Sequence, residues 1–159
     1  MDLHTGQIQG FFNILVDHIF ATPILVDYVK SLNISPDEMV AVSPDMGGAN
    51  RTRHFAKKLD CPIALIDKRR DKHNEAIAAN IIGDVEGKVC LMFDDIIDTA
   101  GTICEAAKLL KSKGAKAVYV GATHPVFSGP AIERLKNAPI EECIVTNTIP
   151  WKSEDLPSN

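Results

Sequence analysis

Nine consecutive residues, Asp94-Asp95-Ile96-Ile97-Asp98-Thr99-Ala100-Gly101-Thr102, combine three carboxylates, two hydroxyls and a glycine directly after the apolar run Val89–Phe93. A strand ending at Phe93 would present Asp94 and Asp95 beyond its carboxyl end, where open α/β sheets bind ligands. A helix beginning near Thr102, with Glu105 completing a capping box, would gather the backbone N–H groups of Asp98 to Thr102 at its start. Dipole and free donors both favour a phosphate there. Thr99 and Thr102 can add hydroxyl donors, and Gly101 lets the backbone approach closely. Asp94 and Asp95 would repel the same phosphate, so their partners are neutral hydroxyls or a divalent cation. A phosphate cradle flanked by two carboxylates suits a sugar phosphate.

Ser43-Pro44-Asp45-Met46-Gly47-Gly48 repeats the order strand, short loop, helix. Gly47 and Gly48 let successive N–H groups form an anion-binding concavity, and Asp45 could hold Mg²⁺ directly or through water. The same string also reads as a common turn. Lys68-Arg69-Arg70 opens the charged stretch Asp67 to Asn80, which has no apolar face before Ile77 and is expected to be a loop. A solvated basic turn is the plain reading of three charges. A loop of that length inside a domain also suits a lid that brings cations to a reacting phosphate. No Walker A, G-x-G-x-x-G or serine-nucleophile elbow occurs. His124 ends a strand and is expected near the same crevice.

The elements that must position these residues follow from apolar patterning. Short, partly β-branched runs at Met39–Ser43, Ile63–Ile66, Val89–Phe93, Ala117–Ala122 and Cys143–Thr146 predict strands covered on both faces. Leu25, Tyr28, Val29 and Leu32 have helical period. So do Thr52, Phe55, Ala56 and Leu59, and Ile103, Ala106, Ala107 and Leu110. A shorter helix is expected at Ser128-Gly129-Pro130, with Ser128 as its cap. The alternation predicts an α/β fold with an open, mostly parallel β-sheet flanked by helices. Residues 1 to 20 show no clean period, and the tail from Trp151 is polar and expected to fray.

With 17 Lys and Arg against 21 Asp and Glu, the net charge is −4, which argues against a nucleic-acid partner. Phe11 to Phe20, interrupted by Asn13, Asp17 and His18, is too short to span a membrane. No signal peptide is visible at Met1, and Cys61, Cys90, Cys104 and Cys143 lack ligand spacing. Reduced core thiols in a cytoplasmic protein are expected.

From Asp2 to about Pro150 the chain resembles ribose-phosphate diphosphokinase (phosphoribosyl diphosphate synthetase). The resemblance rests on Asp2-Leu3-His4, Gln7-Ile8-Gln9-Gly10-Phe11-Phe12, Ser43-Pro44-Asp45, the Lys68-Arg69-Arg70 loop and Asp94 to Thr102. Thr123-His124-Pro125-Val126-Phe127-Ser128-Gly129 and Thr148-Ile149-Pro150 complete it. Asp94–Thr102 alone also fits type I phosphoribosyltransferases. The resemblance implies a phosphoribosyltransferase-like fold over 1–150, followed by a polar tail at 151–159. It implies transfer of the β,γ-diphosphate of ATP to the C1 hydroxyl of ribose 5-phosphate, with Mg²⁺ as cofactor. By position, Asp94 and Asp95 would bind the ribose hydroxyls, and Asp98, Thr99, Ala100, Gly101 and Thr102 the 5-phosphate. His4 and Asp45 would serve the metal, Asp45, Gly47 and Gly48 the diphosphate, and Lys68 and Arg70 would be the catalytic cations. Family members are roughly twice this length and homo-oligomeric. The resemblance therefore implies the C-terminal half of such an enzyme, able to bind ribose 5-phosphate but weakly active or inactive alone. Asn13 and Leu15 depart from the Asp and Pro usual there. Two other readings are a non-catalytic regulatory homologue that associates with active subunits, and a phosphoribosyltransferase.

Overall fold

The computed structural model describes residues 1–69 and 78–151. Its strands are β1 (Met39–Ser43), β2 (Ile63–Arg69), β3 (Ala78–Ile82), β4 (Val89–Ile97), β5 (Ala117–Pro125) and β6 (Glu142–Val145). The helices are α1 (Thr22–Ser31), α2 (Ala49–Leu59), α3 (Gly101–Ser112) and α4 (Ala131–Asn137). One six-stranded sheet runs in the order β3-β2-β1-β4-β5-β6. Only the β2–β3 pair is antiparallel, and the expected mostly parallel α/β architecture is what forms.

Alternation along β4 divides the core between the two faces of the sheet. Val89, Leu91 and Phe93 point toward α1 and α2, joining Leu25, Val26, Val29, Phe55 and Leu59. Cys90 and Met92 point the other way, toward Ile103, Ala106, Ala107 and Leu110 of α3 and Leu135 of α4. Phe55 stacks on Phe93, with ring centroids 4.4 Å apart and 3° between planes, which fixes α2 over the middle of the sheet. The apolar positions that mark α2 and α3 in the sequence, Thr52, Phe55, Ala56, Leu59 and Ile103, Ala106, Ala107, Leu110, are all buried.

Three elements differ from the sequence reading. The strand ending at Phe93 continues to Ile97, because β5 keeps pairing with it as far as Ile97 opposite Pro125. Asp94 and Asp95 therefore lie on the strand, with Asp94 opposite Ala122. The stretch Asp67 to Asn80, expected as a loop, is strand at both ends: β2 runs on to Arg69, and β3 returns antiparallel with Asp67 opposite Asn80. Ile82 is largely exposed there while Ile81 packs on the core, so this edge strand has little of the apolar signal of a covered one. Trp151, expected to be frayed, is half-buried. Its indole N–H donates to the Pro125 carbonyl at 2.6 Å, and its ring meets Phe127. Residues 152–159 lie outside the described residues.

The segment before α1, which has no period, is held by polar contacts instead. Asp2 Oδ2 accepts from Ala21 N–H and from the buried Thr123 hydroxyl, both at 2.7 Å, and Asp2 N–H donates to Ile19 O. His124 Nε2 lies 3.0 Å from Met1 O and 3.1 Å from Asp2 O, while its Nδ1 meets the Thr148 hydroxyl. His124 thus fastens the amino-terminal arm to β5. Among the described residues, no helix is long and apolar enough to cross a membrane.

Candidate functional site

The sheet order reverses direction between β1 and β4, and the loops after these two strands enclose one cavity of about 220 Å³. Pro44 and Asp45 line it from the β1 side; Asp94 and the stretch Ile96 to Ile103 line it from the β4 side. A switch point of this kind opens a crevice because the adjoining connections leave on opposite faces of the sheet. Asp45, Asp94, Asp98, Thr99, Ala100, Gly101 and Thr102, chosen from sequence, are brought together around it.

The β4–α3 loop ends at Ala100, which caps α3 in a left-handed conformation (φ 58°) with its methyl buried. The expected Thr102–Glu105 capping box does not form: the helix starts at Gly101, no side chain caps it, and Glu105 pairs with Lys108 at 3.1 Å. The amide donors at the helix start are thus left for a ligand. Ser128 does not cap α4 either. Pro130 occupies the cap position, and the Ser128 hydroxyl donates to Asp98.

On the other side of the cavity, Asp45 Oδ1 accepts from Gly48 N–H at 2.9 Å. One donor of the expected Gly47-Gly48 anion concavity is therefore taken by the loop's own carboxylate. A Cβ at Gly48 would stand 2.8 Å from Ser43 Oγ, so the glycine here serves close packing of the loop on β1.

Arg51, which sequence reasoning missed, holds the two aspartates together. Its guanidinium forks onto both, Nη1 to Asp94 Oδ1 and Nη2 to Asp95 Oδ1 at 3.0 Å. A signal was available, since a cation in the first turn of a helix runs against the dipole and needs a partner of its own. His4 Nδ1 meets the other oxygen of Asp95 at 2.7 Å. His4 is thereby placed beside Asp95, whereas the lining of the 220 Å³ cavity includes Asp45 and not His4. Asp95, 4% exposed, faces a second cavity of about 470 Å³ with Arg51, His54 and Lys58 of α2. Among the described residues, no three His, Cys, Asp or Glu side chains converge as a ready metal cage. Lys68 lies in β2 with its backbone opposite Ala79; Arg70 lies outside the described residues.

The environments of the two aspartates push their acidities apart. Burial pushes Asp94 up to about 6, and its hydrogen bond with Asp95 adds to this while Arg51 opposes it. For Asp95, burial also disfavours the charge. The hydrogen bonds with Asp94 and His4 and the nearby Arg51 outweigh it and hold the carboxyl below its usual range. The pair thus retains one proton on Asp94 in mildly acidic solution. A folded value near 6 against 3.8 for a free carboxyl stabilises the fold fully below 3.8, and that contribution is lost as pH rises through about 6. A ligand that needs both carboxylates ionised gains affinity over the same window. Carboxyl-carbon NMR should therefore show Asp94 titrating near 6, and higher still in Arg51→Met; a midpoint near 3.8 in the native chain would refute this assignment.

The same fold recurs in solved structures of phosphoribosyltransferases. Adenine phosphoribosyl transferase from Trypanosoma brucei, solved with AMP, pyrophosphate and ribose-5-phosphate, superposes with a TM-score of 0.57 at 20% identity, covering 85% of this chain and 66% of that one. The fold is thus the phosphoribosyltransferase-type α/β fold. A much nearer match is phosphoribosylpyrophosphate synthetase from Mycobacterium smegmatis, with a TM-score of 0.87 and 43% identity over 97% of this chain and 49% of that one. Ribose-phosphate pyrophosphokinase of Synechococcus elongatus is 57% identical over 157 residues, 98% of this chain and 47% of that protein. The chloroplastic ribose-phosphate pyrophosphokinase 2 of Arabidopsis thaliana is 57% identical over 150 residues, 94% of this chain and 38% of that protein. Residues 72–159 match the family described as the phosphoribosyl synthetase-associated domain, and the chain belongs to that family. It spans less than half the length of these curated relatives.

Proposed function

We propose that residues 1–150 form the ribose 5-phosphate-binding unit of a ribose-phosphate diphosphokinase, in which the diphosphate of ATP passes to the C1 hydroxyl of ribose 5-phosphate and AMP leaves. The observation that carries this reading is the single cavity shared by the Asp94 carboxylate and the uncapped loop Asp98–Thr102, one end suited to a sugar hydroxyl and the other to a phosphate. Asp94 and Asp95 would accept hydrogen bonds from the ribose hydroxyls. The amides of the loop and the hydroxyls of Thr99 and Thr102 would donate to the 5-phosphate.

Asp45 is a carboxylate of the kind that holds Mg²⁺ brought in with ATP, whereas His4 would offer a nitrogen and lies beside Asp95, outside the lining of the Asp45 cavity. The ion favours oxygen ligands and commonly binds through one or two carboxylates plus substrate phosphates, so it does not require a preformed protein cage. Asp45 and His4 are the residues we assign to it, and when bound it would supply charge neutralisation at the transferring phosphorus. Lys68 and Arg70 are assigned the same electrostatic task toward the reacting phosphate, since diphosphoryl transfer depends on positioning and charge more than on a covalent nucleophile. The Gly47-Gly48 loop would lie along the diphosphate. The complete protein is read as a cytoplasmic homo-oligomer. The exposed Phe11, Phe12, Ile14, Leu15, Ile19 and Phe20 are an apolar surface that assembly would cover, and the four free thiols suit a reducing compartment.

Isothermal titration of the 159-residue chain with ribose 5-phosphate tests the reading. Saturable binding that sulfate competes away is expected. Absence of both heat and competition would remove the sugar-phosphate assignment.

A further inference from the structure

The loop Asp98–Thr102 is gripped from outside by contacts that the proposed sugar-phosphate site does not use. Arg134, on α4, donates from Nη1 to the Thr99 carbonyl at 2.9 Å. The Ser128 hydroxyl donates to Asp98 Oδ1, and Phe127 N–H donates to Ile97 O at 3.1 Å. All three donors come from the segment that follows β5. The Arg134 contact is not forced by crowding. The guanidinium borders an open groove of about 460 Å³ between α3 and α4, and the side chain is exposed. It nonetheless lies close against the start of α3, where a Cβ on Gly101 would stand 3.4 Å from Nη1.

The Thr99 carbonyl and the Ala100 N–H belong to one planar trans peptide, so they point in opposite directions. A donor that holds the carbonyl on the α4 side aims the N–H away from α4, toward the cavity lined by Thr99, Ala100 and Gly101. The left-handed Ala100 that follows is a conformation an alanine does not keep without support. We infer that Arg134 is a positioning residue for anion binding: by fixing the Thr99–Ala100 peptide it presents the Ala100 amide to the phosphate, with Ser128 holding Asp98 aside. This rests on the sugar-phosphate reading given above.

Arg134→Met and Arg134→Gln in the 159-residue chain separate the possibilities. Titration with ribose 5-phosphate should show Met weakening binding on the order of five-fold, the size of one exposed charge-assisted hydrogen bond, with Gln restoring most of it. The thermal midpoint should stay unchanged, and without ligand amide-nitrogen relaxation should show the Ala100 amide more mobile in Met than in the native chain or Gln. Equal weakening by Met and Gln would mean that Arg134 acts only through its charge, and native-like relaxation at Ala100 in Met would mean that it holds nothing; either result overturns the inference. If the native chain itself fails to bind ribose 5-phosphate, the proposed function falls, while the relaxation comparison still decides whether Arg134 fixes the peptide.

Discussion

Asp95→Asn should weaken ribose 5-phosphate binding by roughly 30-fold, the equivalent of about 2 kcal/mol for one charge-assisted hydrogen bond at a buried site. Asp95 is the better buried of the two aspartates and the one kept ionised, a strong acceptor for a sugar hydroxyl that extends past Asp94 toward the second cavity, which Asp95 lines. Asparagine keeps the shape but presents an N–H₂ group to either His4 or Arg51, both of which now meet carboxylate oxygens. Arg51 would still have Asp94, so the fold should survive with a modest fall in thermal midpoint. Titration calorimetry beside a circular-dichroism melt separates the two effects. Native-like affinity in a folded Asp95→Asn chain would show that this carboxylate does not meet the sugar.

Gly121→Ala should have the largest effect on stability, lowering it by about 3 kcal/mol and the thermal midpoint by about 6–12 °C. Gly121 lies on β5 opposite Phe93 of β4 and Ile144 of β6. A methyl there would stand 2.5 Å from Phe93 Cε1 and 2.6 Å from the Ile144 carbonyl oxygen. The oxygen belongs to the backbone of a paired strand and cannot move away without breaking the ladder. Phe93 is in turn stacked on Phe55, so displacing its ring disturbs the seat of α2 and, through α2, Arg51. Thermal unfolding measures the loss directly. An unaltered midpoint would mean that the β4–β5–β6 interior is looser than these distances describe.

Much of the architecture was legible because each covered strand and each helix face carries its own period. Four of the five apolar runs begin where a strand begins, and the faces of α2 and α3 are the buried ones. What escaped was set by partners distant in sequence. β3 is a half-covered edge strand, and Asp94 and Asp95 belong to β4 only because β5 continues beside them. The gathering of Asp98–Thr102 around the cavity was readable from residue types, but both expected hydroxyl caps failed. Ser128 is drawn to Asp98, and α3 opens from a left-handed alanine rather than from a polar cap. The contacts of Arg134 and of Asp2 with Thr123 went unread, and the one signal for Arg51 was its charge in a helix's first turn, because each acts through a residue at least 30 positions away.

The left-handed Ala100 also bears on the speed of binding. Its methyl is buried against the core while its backbone keeps a conformation worth about 1–2 kcal/mol of strain. The loop is therefore wound into one shape before any ligand arrives, and the ordering of its amides is completed during folding. On the proposed function, an anion that reaches the mouth of the cavity would meet a finished surface, and its capture would be governed by diffusion and ionic strength, with no slow rearrangement between encounter and bound state.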